Sequence, residues 1–173
     1  MSEKVVIIGS NSFSGSHFVD RLLSDGIKCI GISRSQEPHD VFLSYKKRDA
    51  DKFQFYQLDL NHNLNEIVDV IYETKAKYVV NFAAQAMVTE SWQHPEHWFK
   101  TNVEATIKLH DELRKLNVLK KYVHVSTPEV YGNCEGLIEE KTNYNPSTPY
   151  AVSRAAADMS LMSFFKAYDF PVV

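Results

Sequence analysis

Short β-branched runs alternate with longer segments of helical spacing, and this alternation limits the possible folds more than any other feature. The runs are KVVIIG (4–9), KCIGIS (28–33), FQFYQL (53–58), YVVNFA (78–83), YVHVS (122–126) and FPVV (170–173). The helical segments lie at about 15–24, 64–74, 96–117 and 149–167. Apolar strands joined by crossover helices form parallel sheets that are covered on both faces. We therefore predict an α/β fold, a doubly wound parallel sheet in three αβα layers.

The length and composition suit one domain. The 173 residues are 44% hydrophobic and 24% charged, which is usual for a globular chain with a core. The run FPVV is typical of a strand that begins, and no helical segment follows it. We therefore expect residues 1–173 to form one domain that stops at the start of a sixth strand.

The charges exclude several classes of partner. The net charge is −3 with both signs interleaved, so there is no electrostatic case for nucleic acid or an anionic membrane. We expect the basic runs at 46–48 and 120–121 to be solvated faces.

The N-terminus does not indicate secretion or membrane insertion. Only four apolar residues precede the first glycine, too few for a signal peptide or a membrane span. We therefore expect a cytoplasmic protein.

The cysteines and histidines do not indicate a metal site. Cys29 and Cys134 lack C-x-x-C spacing, which suits a reducing compartment and predicts no disulfide framework. His94 and His97 flank Glu96 without a further ligand cluster, so we interpret them as surface helix residues and predict no bound metal.

The first strand runs into the glycine-containing turn GSNSFSGSH, with Gly9 and Gly15 six residues apart and Ser12 between them. In a strand–turn–helix context, backbone amides and the helix N-terminus can face a pyrophosphate. This context favours a Rossmann-like dinucleotide site. The alternative is a tight turn that binds no ligand.

The ends of the second and third strands carry residues that bear on the cofactor. Ser33 and Arg34 end the second strand, where NAD-preferring Rossmann domains usually place an acidic residue on the ribose. Arg34 can instead pair with a 2′-phosphate, which favours NADP over NAD; otherwise it is an exposed loop arginine. Asp59 ends the third strand, where it is placed to bind an adenine amino group or simply to face solvent.

The fifth strand leads into STPEVYG (126–132), and the next helix carries Tyr150 and Arg154. Ligands of open α/β sheets bind at the carboxyl ends of the strands, so Thr127 and Glu129 are candidates there. Positions 150 and 154 share one helix face. Together these groups indicate a site for proton and hydride transfer. The alternatives are a locally satisfied hydroxyl, a surface glutamate, and a helical tyrosine beside a surface charge.

Taken in order, these motifs resemble the extended short-chain dehydrogenase/reductases of the NAD-dependent epimerase/dehydratase family. The matching stretches are GSNSFSGSH, LDL (58–60), NFAAQ (81–85), TNVEAT (101–106), STPEVYG and YAVSR (150–154). The chain most resembles the nucleotide-sugar 4,6-dehydratases acting on dTDP-glucose or GDP-mannose. AAQ, followed by Val88, Ser91, Pro95-Glu96 and Asn102-Val103, is similar to the GDP-mannose branch.

The resemblance implies a nucleoside-diphosphate sugar as substrate and a homodimer paired through the helices at about 96–117 and 149–167. It also implies that residues 1–173 form an NAD(P)-binding Rossmann domain and that a C-terminal substrate domain lies outside this chain. It also implies dinucleotide contacts at the matching positions. These are Gly9, Ser12, Phe13, Ser14, Gly15, Ser33, Arg34, Asp59, Leu60, Phe82, Ala83, Ala84, Gln85, Thr101, Tyr150 and Arg154.

The implied reaction passes through a 4-keto intermediate. Tyr150 would take the C4 hydroxyl proton beside Thr127 while the C4 hydride moves to the nicotinamide. Glu129 would then remove the C5 proton, which is acidic only beside a ketone, so a carboxylate suits the task. Water leaves C6, and the hydride returns to C6.

Three residues depart from the family pattern. Ser12 replaces the middle loop glycine, and Pro128 stands where dTDP-glucose dehydratases have an aspartic acid. Arg154 replaces a lysine that would bind the nicotinamide ribose and stabilise tyrosinate; arginine keeps the charge but changes its shape. Two alternatives therefore stay open: a 4-epimerase or uronate decarboxylase of the same family, and a dinucleotide-binding chain without turnover.

Overall fold

Five strands form one parallel sheet in the order β3-β2-β1-β4-β5. The computed structural model describes residues 3–140 and 143–173. The strands are β1 Lys4–Ile8, β2 Lys28–Ser33, β3 Phe53–Gln57, β4 Tyr78–Asn81 and β5 Lys121–His124. The strand order reverses between β1 and β4, where ligands of doubly wound sheets bind. The predicted fold class is confirmed.

The helices are α1 Phe13–Ser24, α2 Leu64–Glu73, α3 Pro95–Trp98, α4 Thr106–Leu113 and α5 Pro149–Tyr168. A π-helical stretch, Phe99–Ala105, joins α3 to α4. The prediction of one regular helix at 96–117 was therefore wrong in its middle and at its end. The hydroxyl of Thr106, the residue after this stretch, donates to the carbonyl of Thr101, five residues earlier.

Alternate side chains of β1 fill two separate cores. Val6 and Ile8 belong to a core shared with α2, α4 and α5, whereas Val5 and Ile7 belong to a core shared with α1. Both faces of a central strand are thus apolar because both are covered. This arrangement is the predicted three-layer architecture.

The predicted strand at 170–173 lies beside β5. Val172 forms a parallel bridge to Tyr122, and the amide of Tyr122 donates to the carbonyl of Pro171 at 2.8 Å. The segment thus runs parallel to β5. Among the helices of residues 3–140 and 143–173, none has the length and apolarity that crossing a bilayer requires.

Candidate functional site

The turn after β1 requires glycine at both ends because backbone segments approach closely there. Gly9 has a φ of 88°, and a Cβ on it would lie 2.7 Å from the nitrogen of Ala83. A Cβ on Gly15 would overlap the carbonyl oxygen of Gly9. Both glycines are therefore dictated by packing between β1, α1 and β4, whether or not a ligand is bound.

Ser12 caps α1. Its hydroxyl donates to the carbonyl of Gly9 at 2.8 Å and accepts from the amide of Gly15 at 3.0 Å. Its φ of −69° suits any residue, so this turn does not need a glycine there. Phe13 and Ser14, in the first turn, have no intrahelical acceptor for their amides. A helix end of this kind attracts an anion.

A cleft of about 260 Å³ opens at the carboxyl ends of β1, β2, β3 and β4. Ten of the sixteen predicted cofactor residues line it: Gly9, Ser12, Ser33, Arg34, Asp59, Leu60, Phe82, Ala83, Ala84 and Thr101. Phe13, Ser14, Gly15, Gln85, Tyr150 and Arg154 are not part of the lining. The cleft is bounded by the turn that the glycines shape, so its position fits an extended dinucleotide.

Asn11 is a cleft residue that the sequence analysis missed. Its amide nitrogen donates to the carbonyls of Ser35 and Gln36, each at 3.0 Å, and its backbone amide donates to the hydroxyl of Ser33 at 3.0 Å. Its Oδ1 is buried without a partner in the described structure. Asn11 thus fixes the glycine turn to the loop after β2. Its position between Gly9 and Gly15 was the signal that could have indicated this role.

Two predicted residues already have protein partners at the mouth of the cleft. Arg34 donates from Nη1 to Oε1 of Gln85 at 3.4 Å. Asp59 accepts through Oδ1 from the backbone amide of Asn61 at 2.7 Å. The Asn61 amide group also donates to the hydroxyl of Thr101 at 3.2 Å. Asn61 therefore joins the end of β3 to the π-helical stretch, a connection that the sequence did not indicate.

The end of β5 presents the predicted hydroxyl and carboxylate. Thr127 is the N-cap of a short 3-10 helix, Pro128–Tyr131, and accepts from the amide of Glu129 at 3.3 Å. Pro128 occupies the first helical position, where its fixed φ and missing N–H suit the helix. Thr127 and Glu129 are half-buried, and their short helix packs against α5.

Tyr150 and Arg154 occupy very different environments on α5. Tyr150 lies in the first turn and is half-buried, whereas Arg154 is only 2% exposed. Nη2 of Arg154 donates to the carbonyl of Val125 and lies 3.3 Å from Nε2 of His124. The interpretation of Arg154 as a surface charge is therefore wrong. The guanidinium is directed towards the end of β5.

A buried chain of hydrogen bonds continues from Arg154 into the core. Arginine has only donors, so Nε2 of His124 accepts from it, and Nδ1 of His124 donates to the hydroxyl of Tyr122 at 3.3 Å. That hydroxyl also accepts from Asn81 at 3.0 Å and donates to Nε2 of His110 at 3.1 Å. The arginine's donors thereby fix the tautomer of both histidines.

Burial and charge set the ionisation of this cluster. Desolvation, followed by the charge of Arg154, holds the pKa of His124 well below its ordinary value. Desolvation alone lowers the pKa of His110 to about 3. Burial raises the pKa of Asp158 despite the opposing effects of Ser126, which donates a hydrogen bond to it, and of Arg154. Both imidazoles are therefore neutral near pH 7.

Comparison with known proteins settles the family of the chain. A statistical model of the family described as GDP-mannose 4,6 dehydratase matches residues 6–173. The chain belongs to the GDP-mannose 4,6-dehydratase family. The resemblance inferred from the motifs is confirmed by this match.

Curated relatives of this dehydratase-family chain include two enzymes of Mycolicibacterium smegmatis. Its dTDP-glucose 4,6-dehydratase is 30% identical over 95% of the chain and 50% of the relative. Its UDP-glucose 4-epimerase is 29% identical over 96% of the chain and 52% of the relative. The chain thus spans about half the length of the curated relatives it matches.

A solved structure supports both fold and family. The dTDP-glucose 4,6-dehydratase of Streptomyces venezuelae, in a complex with NAD, superposes with a TM-score of 0.85 at 25% identity. The match covers 98% of the chain and 53% of that protein. The similarity extends over all the elements described above.

Two departures from the dehydratase pattern now have local explanations. Ser12 replaces the middle glycine because its side chain caps α1. Pro128 begins a 3-10 helix and leaves Glu129 as the acidic side chain of that turn. Arg154 differs in kind, because its environment is built by His124 and Val125 on another element.

Proposed function

We propose that this chain supplies the dinucleotide-binding part of a nucleotide-sugar 4,6-dehydratase that forms a 4-keto-6-deoxy sugar. One observation carries the proposal: the glycine-bounded cleft lies beside the end of β5, which presents Thr127 and Glu129 and is tied to α5 by Arg154. Because β5 pairs with β4, a nicotinamide reaching past β4 would meet the hydroxyl–carboxylate turn. Family membership favours the same reaction.

Each proposed site residue has a distinct task. Tyr150 accepts the proton of the sugar C4 hydroxyl, and Thr127 hydrogen-bonds that hydroxyl. Glu129 removes the C5 proton as a general base. Since Pro128 has no proton to give, Glu129 then returns its proton to the departing C6 hydroxyl. A bound nicotinamide dinucleotide supplies the hydride acceptor and donor.

The cofactor we propose is NADP. The NAD complex of the Streptomyces venezuelae relative supports a nicotinamide dinucleotide, and the phosphate is supported by the end of β2. There, Ser33 offers no carboxylate to a ribose diol, while Arg34 lines the cleft and is exposed. A guanidinium in this place pairs well with a 2′-phosphate.

Substitution of Arg34 tests the choice of cofactor. We expect NADP to bind more tightly than NAD, and Arg34→Ala to weaken NADP by about tenfold or more while leaving NAD within about twofold, because a charge-assisted bond of ~1.5–3 kcal/mol is lost. Isothermal titration measures both affinities. Arg21→Ala is the matched control, since Arg21 is exposed on α1 and paired with Asp25. Equal weakening of both dinucleotides by Arg34→Ala would contradict the assignment.

Turnover decides between the reactions of the family. The protein encoded by the longest reading frame that contains this chain is incubated with GDP-mannose, dTDP-glucose and UDP-sugars, and NMR identifies the products. We expect a 4-keto-6-deoxy sugar from wild type, and a loss of about 10²–10⁴ in rate in Tyr150→Phe, the range for removing a general base. Formation of a C4 epimer or of carbon dioxide would refute the dehydratase assignment. The C4 epimer is included because one relative is a UDP-glucose 4-epimerase. If the protein binds dinucleotide but turns over none of these sugars, we would conclude that it is a cofactor-binding protein without this activity.

We further propose a homodimer paired through α5 and the π-helical stretch. Five large hydrophobic side chains on these elements are at least 38% exposed: Phe99, Val152, Met159, Phe165 and Tyr168. Other apolar residues of the same elements, such as Ala105 and Leu161, are buried in the core. Light scattering after gel filtration measures the mass, and Met159→Glu together with Phe165→Glu should yield a monomer.

We also propose that the protein is located in the cytoplasm. Cys29 is buried and Cys134 is exposed, and both thiols are free. Free thiols of this kind suit a reducing compartment.

A further inference from the structure

Ser91 binds the backbone of Tyr150 from a separate element. Ser91 lies in the 3-10 turn Thr89–Trp92 and is fully buried. Its hydroxyl donates to the carbonyl of Val88 at 2.6 Å and accepts from the amide of Tyr150 at 3.2 Å. Tyr150 is the second residue of α5, so its amide has no intrahelical acceptor. The serine supplies the acceptor that the helix cannot.

A second pair of buried side chains holds the other side of Tyr150. The hydroxyl of Ser153 donates to the carbonyl of Tyr150 at 2.7 Å and accepts from Nδ2 of Asn102 at 2.9 Å. Ser153 and Asn102 are both fully buried. The amide and the carbonyl of Tyr150 are therefore each held by a polar side chain that solvent does not reach.

Asn102 connects this arrangement to the loop after β4 at Gln85, the residue that follows the cleft residue Ala84. It accepts through Oδ1 from the amide of Gln85 at 2.8 Å and donates through Nδ2 to the carbonyl of Gln85 at 3.0 Å. Asn102 lies within the π-helical stretch, and π-helical insertions are frequent at functional sites. The irregular helix thus places one amide side chain between the loop after β4 and the first turns of α5.

We propose that Ser91 is a positioning residue for Tyr150, and that Ser91, Asn102 and Ser153 together form a Tyr150 clamp. The inference rests on the proposed function, in which Tyr150 is the C4 base. Helix ends fray, whereas a proton-transferring group must be held to within about 0.5 Å. The clamp prevents fraying at Tyr150, and it fixes Tyr150 relative to the loop after β4.

Amide exchange tests the clamp without any substrate. In Ser91→Ala, NMR should show exchange of the Tyr150 amide at least about tenfold faster, because the serine hydroxyl that accepts from it is removed. The ring signals of Tyr150, assigned with Tyr150→Phe, should shift or broaden. The amide of Ala151, capped by Thr148 at 3.0 Å, should change by less than about twofold. Thr74→Ala is the matched control, because Thr74 also donates its hydroxyl to a helical carbonyl but lies at the end of α2. Unchanged exchange and unchanged ring signals in Ser91→Ala would overturn the proposal.

Kinetics test the consequence. The variant is made in the protein encoded by the longest reading frame that contains the chain. There, Ser91→Ala should lower kcat by about 10- to 100-fold, which is the effect of misplacing a reacting group by about 1 Å. The dinucleotide Kd should stay within about twofold of the wild-type value. If Ser91→Ala does not fold, Ser153→Ala replaces it, since alanine favours the helix and Asn102 keeps its bonds to Gln85. A loss of kcat no greater than in Thr74→Ala, or an equal loss of dinucleotide affinity, contradicts a positioning role. If wild type turns over no sugar, the proposed function fails, and the exchange and ring-signal measurements still decide whether the clamp holds Tyr150.

Discussion

At the scale of single residues, Arg154 is a buried cation whose neighbours respond to its charge. Its Nη2 binds Val125 and His124, while Nε and Nη1 are buried without partners in the described structure. The charge lowers the pKa of His124 and opposes the rise in the pKa of Asp158. A lysine at this position would not reproduce the contacts of the guanidinium, because its ammonium is a compact point charge and not a planar fork.

Replacing Arg154 by methionine tests this account. Without the cation, we expect the pKa of His124 to rise, because the positive charge that disfavours its protonation is gone. The pKa of Asp158 should rise further, because the positive charge that favours its carboxylate is gone. His124 should still titrate below its ordinary value, because burial is the larger cause. NMR titration measures both groups, with Arg21→Met on α1 as the control. No movement of either pKa would show that the charge of Arg154 does not reach them.

At the scale of elements, the turn between β1 and α1 depends on a close approach to β4. Gly9 carries a positive φ of 88° and faces the backbone of Phe82 and Ala83. Gly26, at the other end of α1, has a similar φ of 75°, but a Cβ there would approach only the flexible end of Lys52, at 3.9 Å. The two glycines share backbone strain and differ in the space around them.

Alanine at these two positions separates strain from crowding. We expect Gly26→Ala to lower the free energy of unfolding by about 1 kcal/mol, from the positive φ alone. Gly9→Ala should lower it by a further ~1–3 kcal/mol, because β1 and β4 must move apart to admit the methyl group. Urea unfolding measures both variants. Equal losses would mean that the turn can relax away from β4.

At the scale of the whole molecule, two neutral histidines in the core make stability depend on pH. His110 and His124 have lowered pKa values in the folded chain, His110 to about 3, while in the unfolded chain both titrate near 6.5. Below pH 6.5 the unfolded state therefore binds more protons than the folded state. Their stabilisation is fully present above pH 6.5 and is lost as the pH falls. The raised pKa of Asp158 acts in the opposite direction and offsets part of the loss.

Substitution of His110 measures how much one buried histidine contributes to the pH dependence of stability. When the pH falls from 7 to 5, His110 should contribute a share of about 2 kcal/mol to the loss of free energy of unfolding, at ~1.4 kcal/mol per pH unit below 6.5. His124 should contribute a further share in the same direction. His110→Gln should remove one such share from the difference between unfolding at pH 7 and at pH 5. His62→Gln, at an exposed position, should leave the difference unchanged. An identical pH dependence in His110→Gln and wild type would contradict the assignment.

Several parts of the molecule were determined by the sequence alone. The apolar runs predicted the strands, with β2 at its observed bounds, and the glycine turn predicted where the cleft opens. These features are local or periodic, because side-chain alternation and the demand for glycine act over a few residues. The family was likewise readable from an ordered set of short motifs.

Only the tertiary structure decided how the remaining polar residues are used. Arg154 turns inward because His124 and Val125, about thirty residues earlier, offer acceptors. Asn102 reaches Ser153 across 51 residues, and Ser91 reaches Tyr150 across 59. The helix widens into π geometry around Asn102. Contacts between distant segments leave no periodic trace in the sequence, because the partner that satisfies a buried polar group is chosen by the packing of whole elements.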